Sequence, residues 1–133
     1  MWWKWGMHQS GTTHMGSVGG AGKVSVQDIT VAKWLDRSSP ILMLSCCSGK
    51  HFSQAVLTMR KAGGKPLEYM TLTMKDLIVT SVSLQAAAGA ELQTEIITIN
   101  FSEFKTEYKP QNADGSGAAG IEVAWNIAQN IVV

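Results

Sequence analysis

Apolar and polar residues alternate along most of the chain after residue 22. β-Branched residues are abundant and turn residues recur at intervals, the pattern of an all-β protein. Ala55, Leu57 and Met59 alternate with Gln54, Thr58 and Arg60. Gly63-Gly64-Lys65-Pro66 then turns the chain, and Met70, Leu72 and Met74 alternate with Tyr69, Thr71 and Thr73, which predicts a hairpin. A separate strand is expected from Leu77 to Leu84, and a loop over the small residues Gln85 to Ala90. From Glu91 to Lys109 neither Gly nor Pro interrupts, yet the apolar phase slips from Leu92/Ile96 to Ile97/Ile99/Phe101 and again to Phe104/Tyr108. A slip of one position moves the apolar side to the other face, so bulges are expected near Ile96 and Ser102. Asn112 to Gly117 reads as a tight turn, and Ile121, Val123, Trp125 and Ile127 form the inward row of a last strand.

One segment departs from this period. Ser39 is placed to cap a helix, Pro40 fits its first turn, the body ILMLSCCS is apolar nearly all round, and Gly49 can end it. A helix without a polar face is expected to be buried, here against the end or flank of the β structure. The predicted fold class is mainly β: a compact β-barrel or two packed antiparallel sheets, with one short flanking α-helix at about 39–49. With 133 residues the chain has room for one domain, 1–133. Met43, Met59, Met70 and Met74 fall on the predicted core faces. Three of the five tryptophans lie in the opening MWWKWG, where Trp3 and Trp5 share a face if the stretch is a strand.

Charge narrows the function classes. Lys+Arg 11 against Asp+Glu 10 gives no electrostatic case for nucleic acid or an anionic membrane. No apolar run approaches the roughly 20 residues of a membrane-spanning helix, and the start lacks the parts of a secretory signal, so the expectation is a cytoplasmic protein without membrane insertion. Cys46 and Cys47 are adjacent, a geometry that disfavours a bridge, and are expected reduced and buried as small hydrophobes. Gly16 to Lys23 suggests a phosphate-binding loop but fails it: Ser17 replaces a required glycine, Val24 replaces the hydroxyl residue after the lysine, and a strand follows instead of a helix. His8, His14 and His51 are scattered. No nucleophile, base and orienter can be placed together, so no enzymatic activity, metal or cofactor is expected. The tryptophans fit core packing, or a platform for a carbohydrate or peptide.

Several stretches together resemble the haemolysin-coregulated protein (Hcp) family, the tube proteins of bacterial type VI secretion. They are Trp3 to Gly6 (WKWG), Gln9 to Asp28 (QSGTTHMGSVGGAGKVSVQD), Ser38 to His51 (SSPILMLSCCSGKH), Arg60 to Met70 (RKAGGKPLEYM), Lys75 to Ser83 (KDLIVTSVS) and Thr106 to Gly117 (TEYKPQNADGSG). Their order and spacing cover essentially the whole chain. The resemblance implies a structural subunit forming hexameric rings that stack into a conduit and can carry effectors. Its partners would be further copies of itself, the spike protein at the tube tip, the contractile sheath and effector proteins. It also implies export through the secretion machine without a cleaved signal peptide. An extended loop, 9–23, would contact the adjoining subunit or ring through Ser10, Thr12, Thr13, His14 and Met15. The family carries one or two strands ahead of the Trp-x-Trp-Gly stretch where this chain starts, so Trp3 and Trp5 are expected on an interior strand with an open edge. The alternatives are a stand-alone β-barrel binding module for a peptide or carbohydrate, and a truncated tube subunit that does not assemble; oligomer size separates them from the tube subunit.

Overall fold

The computed structural model describes residues 1–11, 22–63 and 67–133. Along the chain these form β1 (Trp2–Lys4), β2 (Met7–Gln9), β3 (Val24–Val26), β4 (Ile29–Trp34), α1 (Ser39–Ser48), β5 (His51–Lys61), β6 (Leu67–Gln85), β7 (Thr94–Tyr108), β8 (Ile121–Asn126) and β9 (Ile131–Val132). One sheet has the order β1-β4-β7-β6-β5, with β8 on β7 and β9 on β8, while β2 and β3 form a two-stranded sheet of their own. The fold is therefore mainly β, with two antiparallel sheets and one short helix, as the alternation predicts. The turn at 64–66 lies outside the described residues.

Residues 67–85 form one strand of 19 residues rather than a strand on each side of Asp76. The buried row passes from Leu72 and Met74 to Leu77 and Val79, a one-position slip accommodated without a break. Asp76 makes the slip by adopting φ 50, a left-handed conformation that aspartate tolerates better than most residues. β7 slips at the position predicted from Ser102, since Ile97 and Phe101 are buried on one phase and Phe104 on the other. The Ser102 carbonyl accepts the Ile127 N–H at 2.8 Å, and its hydroxyl donates to the Lys75 carbonyl at 3.3 Å. No slip occurs near Ile96: Glu95, Ile97 and Phe101 hold one phase, and Leu92 precedes the strand. Glu95 is the residue that misleads the pattern, because a carboxylate occupies a core position.

Packing divides the chain into two compact units, residues 1–51 with 78–100 and residues 52–77 with 101–133. In the first, Ile29, Val79 and Ile97 are buried on the apolar side, and Trp3, Val31 and Ile97 form one cross-strand row. Trp2, Ala32 and Ile96 form the adjacent row on the opposite face. Glu95 is fully buried beside Lys33, its register partner. One carboxylate oxygen takes the Lys33 ammonium and the Ser39 hydroxyl, the latter at 2.9 Å. The Lys33 ammonium also reaches Asp36 at 3.0 Å. Burial works against the Lys33 charge, but the hydrogen bonds to Glu95 and Asp36 outweigh it and hold its pKa above the ordinary value. In the second unit, Leu72, Met74 and Leu77 are buried, and Phe101 meets Phe104 edge to face at 6.4 Å.

The helix begins and ends as its sequence implies, with Pro40 in its first turn and Gly49 left-handed after its last residue. Ser39 does not cap it; the N-cap is Ser38, and the Ser39 hydroxyl goes to Glu95 instead. Nor is the helix buried all round. Ser39 and Ser45 are its buried residues, whereas Ile41 and Leu44 are 61% and 68% exposed. Cys46 is half-buried and Cys47 exposed, so the expectation of two buried thiols is corrected; both are free. Met74 is buried, whereas Met43, Met59 and Met70 are half-buried. Of the expected inward row Ile121, Val123, Trp125 and Ile127, the last two are half-buried, whereas Ile121 and Val123 are exposed; β9 pairs β8 at Trp125 and Asn126.

Two predictions follow from the Lys33–Glu95 pairing and its neighbours. Lys33→Met strands the buried Glu95 carboxylate and is expected to cost about 3–5 kcal/mol in urea unfolding; Glu95→Ala leaves Lys33 its partner Asp36 and should cost less, and Lys33→Met/Glu95→Leu should cost clearly less than the sum of the two. Additive losses would show that the two groups are not coupled. For Asp36, hydrogen bonds from the Ser38 hydroxyl, the Lys33 ammonium and the Ser38 N–H lower the carboxyl pKa from 3.8 to about 2. Its stabilising contribution is therefore complete above the ordinary carboxylate range and disappears as pH falls towards about 2. An NMR titration should place the Asp36 midpoint below the other exposed carboxyls, and Ser38→Ala should raise it; an unshifted midpoint would contradict the bonding.

Candidate functional site

The predicted contact loop rises from the small ribbon of β2 and β3, in which Met7 faces Val26, His8 faces Ser25 and Gln9 faces Val24. Ser10 closes the base of the loop: its hydroxyl donates to the Lys23 carbonyl at 3.0 Å, while the Gly11 N–H donates to the Gln9 side-chain carbonyl at 3.0 Å. Gly22 is required where the two arms meet, because a Cβ there would overlap Ser10 Oγ and come 2.7 Å from the Gly11 nitrogen. Thr12, Thr13, His14 and Met15 lie outside the described residues. Gln27 donates its N–H to the Gly6 carbonyl at 2.9 Å, and the Trp5 indole N–H donates to the Gln27 carbonyl at 2.9 Å. These contacts anchor the ribbon to the start of β4.

The first unit also carries three exposed apolar features. Trp2 and Trp34, each 51% exposed, flank a cavity of about 300 Å3 floored by Ala32 and Ile96. Its rim holds Lys33, Gln85 and Thr94. Alongside runs an open groove of about 580 Å3 with Leu84 and Leu92 as walls and Ala86, Ala87 and Ala90 between them. On α1, Ile41, Leu44 and Cys47 follow the i, i+3 spacing that places side chains on one face. The patterning did not reveal these surfaces, since the same apolar residues read equally well as core.

Several polar side chains elsewhere pair with one another. Asp28 accepts from Thr80 at 2.8 Å and Asn100 at 2.9 Å. In the second unit, Lys105 pairs with Glu122 at 2.7 Å and its pKa is raised by that hydrogen bond. At the 112–117 turn, the Ser116 hydroxyl and N–H lower the Asp114 pKa. Among the described residues no three His, Cys, Asp or Glu side chains gather to hold a metal ion, and no helix is long and apolar enough to cross a membrane. Sequence reasoning missed the Lys33–Glu95 pair that mounts α1. Its one visible signal was a carboxylate at the start of the row carrying Ile97 and Ile99.

Comparison with known proteins gives the same assignment from several directions. Residues 1–108 match the family described as "Type VI secretion system effector, Hcp". Protein hcp1 of Pseudomonas aeruginosa is 50% identical over 111 residues, spanning 82% of this chain and 68% of that protein. Among solved structures, Hcp1 from Salmonella typhimurium superposes with a TM-score of 0.80 at 37% identity, covering 100% of this chain and 82% of that one. A structure described as a type six secretion system protein gives a TM-score of 0.92 at 24% identity, covering 100% and 84% respectively, and at that identity it speaks for the fold alone. With the family match over most of the chain, the close relative and the shared fold in agreement, this chain belongs to the Hcp family and is a structural subunit of the type VI secretion tube.

Proposed function

We propose that copies of this chain close into hexameric rings that stack into the conduit, and that the 133 residues act as one ring-building domain. The observation that carries this reading is the 50% identity to hcp1 of Pseudomonas aeruginosa. Extensive exposed apolar surface in the first unit supports it, because monomeric proteins seldom leave large contiguous apolar patches in water. A sixfold ring needs a heterologous interface, in which two different patches of each subunit meet. In this reading the loop at 9–23 makes the contact to the adjoining subunit or ring through Ser10, Thr12, Thr13, His14 and Met15, with Gly22 and Ser10 fixing its base. The protein acts without enzymatic chemistry or cofactor. It is made in the cytoplasm and leaves through the secretion machine, meeting the spike protein, the sheath and effector proteins on the way.

A second reading is favoured by one feature, the tryptophan-flanked cavity with Gln85 and Thr94 at its rim, which suits a stand-alone module binding a peptide or sugar. Solution mass separates the two. Light scattering after gel filtration should give a mass near six subunits; a monomer at every concentration tested would refute the ring reading for this chain and leave the binding module or a tube subunit that does not assemble. Deleting 11–20 should weaken ring stacking, seen as shorter or fewer tubes by electron microscopy, while circular dichroism of the β fold stays unchanged. Unchanged stacking after that deletion would remove the loop from the contact.

A further inference from the structure

The turn between β7 and β8 contains an aspartate followed by a glycine, Asp114-Gly115. Every other aspartate of the chain, and every asparagine, precedes a residue with a side chain. The pair matters chemically because the main-chain nitrogen after an aspartate can close on that aspartate's own carboxyl, and a five-membered ring at such proximity replaces an encounter between two molecules. A Cβ on the following residue crowds the nitrogen, and glycine has none. Here the backbone itself calls for glycine, since Gly115 has φ 90. Asp114 is exposed, so water reaches the bond.

Two features of the turn oppose ring closure. Asp114 Oδ1 accepts from the Ser116 hydroxyl at 2.6 Å and from the Ser116 N–H at 2.9 Å. Both bonds favour the carboxylate over the carboxylic acid and lower the Asp114 pKa. Closure needs the acid, because the departing oxygen must leave as water. The Asn112 side-chain amide donates to Ser116 Oγ at 3.1 Å, which steers the hydroxyl proton towards Asp114. The attacking nitrogen is held as well: the Gly115 N–H donates to the Asn112 carbonyl at 3.0 Å, inside a turn closed by the Asn112 N–H on the Ser116 carbonyl at 2.7 Å.

We propose that Asp114-Gly115 is a site of spontaneous succinimide formation and conversion to isoaspartate, and that Ser116 holds it shut in the folded chain. In the reaction the Gly115 nitrogen bonds to Asp114 Cγ and gives up its proton, and the carboxyl hydroxyl leaves as water. Water then adds back to the cyclic imide. Addition at Cγ breaks the new bond and restores aspartate. Addition at the main-chain carbonyl carbon breaks its bond to the Gly115 nitrogen, so the chain runs through Cβ and Cγ and a free α-carboxylate remains. The backbone is then longer by one carbon atom between Asn112 and Ser116, whose hydrogen bond closes the turn. Conversion would open the end of the hairpin that sets Tyr108 against Ile121.

The test uses the full chain at mildly acidic pH, folded in buffer or unfolded in urea. Isoaspartate is counted by enzymatic methyl transfer to isoaspartyl carboxylates and located by peptide mapping. The folded protein should convert at 114 about tenfold or more slowly than the unfolded chain. Ser116→Ala should speed the folded protein about threefold or more with melting temperature unchanged, while Ser116→Thr, which keeps the hydroxyl, should stay near the wild-type rate. Since the guard acts by favouring the anion, the gap between Ser116→Ala and wild type should close once pH falls below both carboxyl midpoints; a merely loosened turn would stay faster at every pH. Asp114→Glu should remove the mapped signal. No conversion at 114 in urea, or a signal that survives Asp114→Glu, would overturn the site. Equal rates in buffer and urea, an unchanged rate in Ser116→Ala, or a gap that persists in acid would overturn the role of Ser116.

Discussion

Burying a carboxylate in the apolar row of a strand obliges everything around it to answer its charge. Glu95 sits at 0% exposure on the row that carries Ile97, where a hydrophobic residue would satisfy the strand pattern at no electrostatic cost. Desolvating one such ion costs several kcal/mol unless partners are in place. Lys33 stands opposite in register, Ser39 donates from the helix start, and Asp36 holds the far side of the ammonium. A sheet residue thereby decides how a helix is oriented. The loop from Leu35 to Ser38 is shaped by the same set of bonds, since Asp36 accepts from both the N–H and the hydroxyl of Ser38.

The second constraint is phase. Both long strands change which face is apolar, β6 at Lys75–Asp76 and β7 at Ser102–Glu103, and Ser102 bonds across to Lys75. Slipping together keeps the buried residues of neighbouring strands on a common side. A slip in one strand alone would set an apolar row against a polar one over the remaining length. Asp76 absorbs its slip in a left-handed conformation, so the 19 residues of β6 stay one strand.

These particulars explain what could be read from the residues and what could not. Strand alternation, the Pro40 and Gly49 boundaries of α1 and the slip at Ser102 depend on local period and backbone chemistry, which a sequence displays directly. The continuity of β6 was not legible, because an aspartate inside an apolar run reads as punctuation until its backbone angle is known. Glu95 was not legible either, since its partner Lys33 is 62 positions away in sequence and only register brings them together. The inward row of β8 failed at Ile121 and Val123 for a related reason: period assigns a face, but whether anything covers that face depends on tertiary packing.

A tube subunit faces a physical demand that an isolated globule does not: surface that is apolar in the single chain must be covered in the assembly. The first unit meets that description in two places, each produced by a different device. On α1, Ile41, Leu44 and Cys47 are exposed while Leu42, Met43 and Cys46 are half-buried beside the buried serines, whereas the groove at 84–92 is open because three alanines leave its walls without a filling between them. No charged side chain lies within α1 or among the residues lining the groove, so covering either surface would strand no ion.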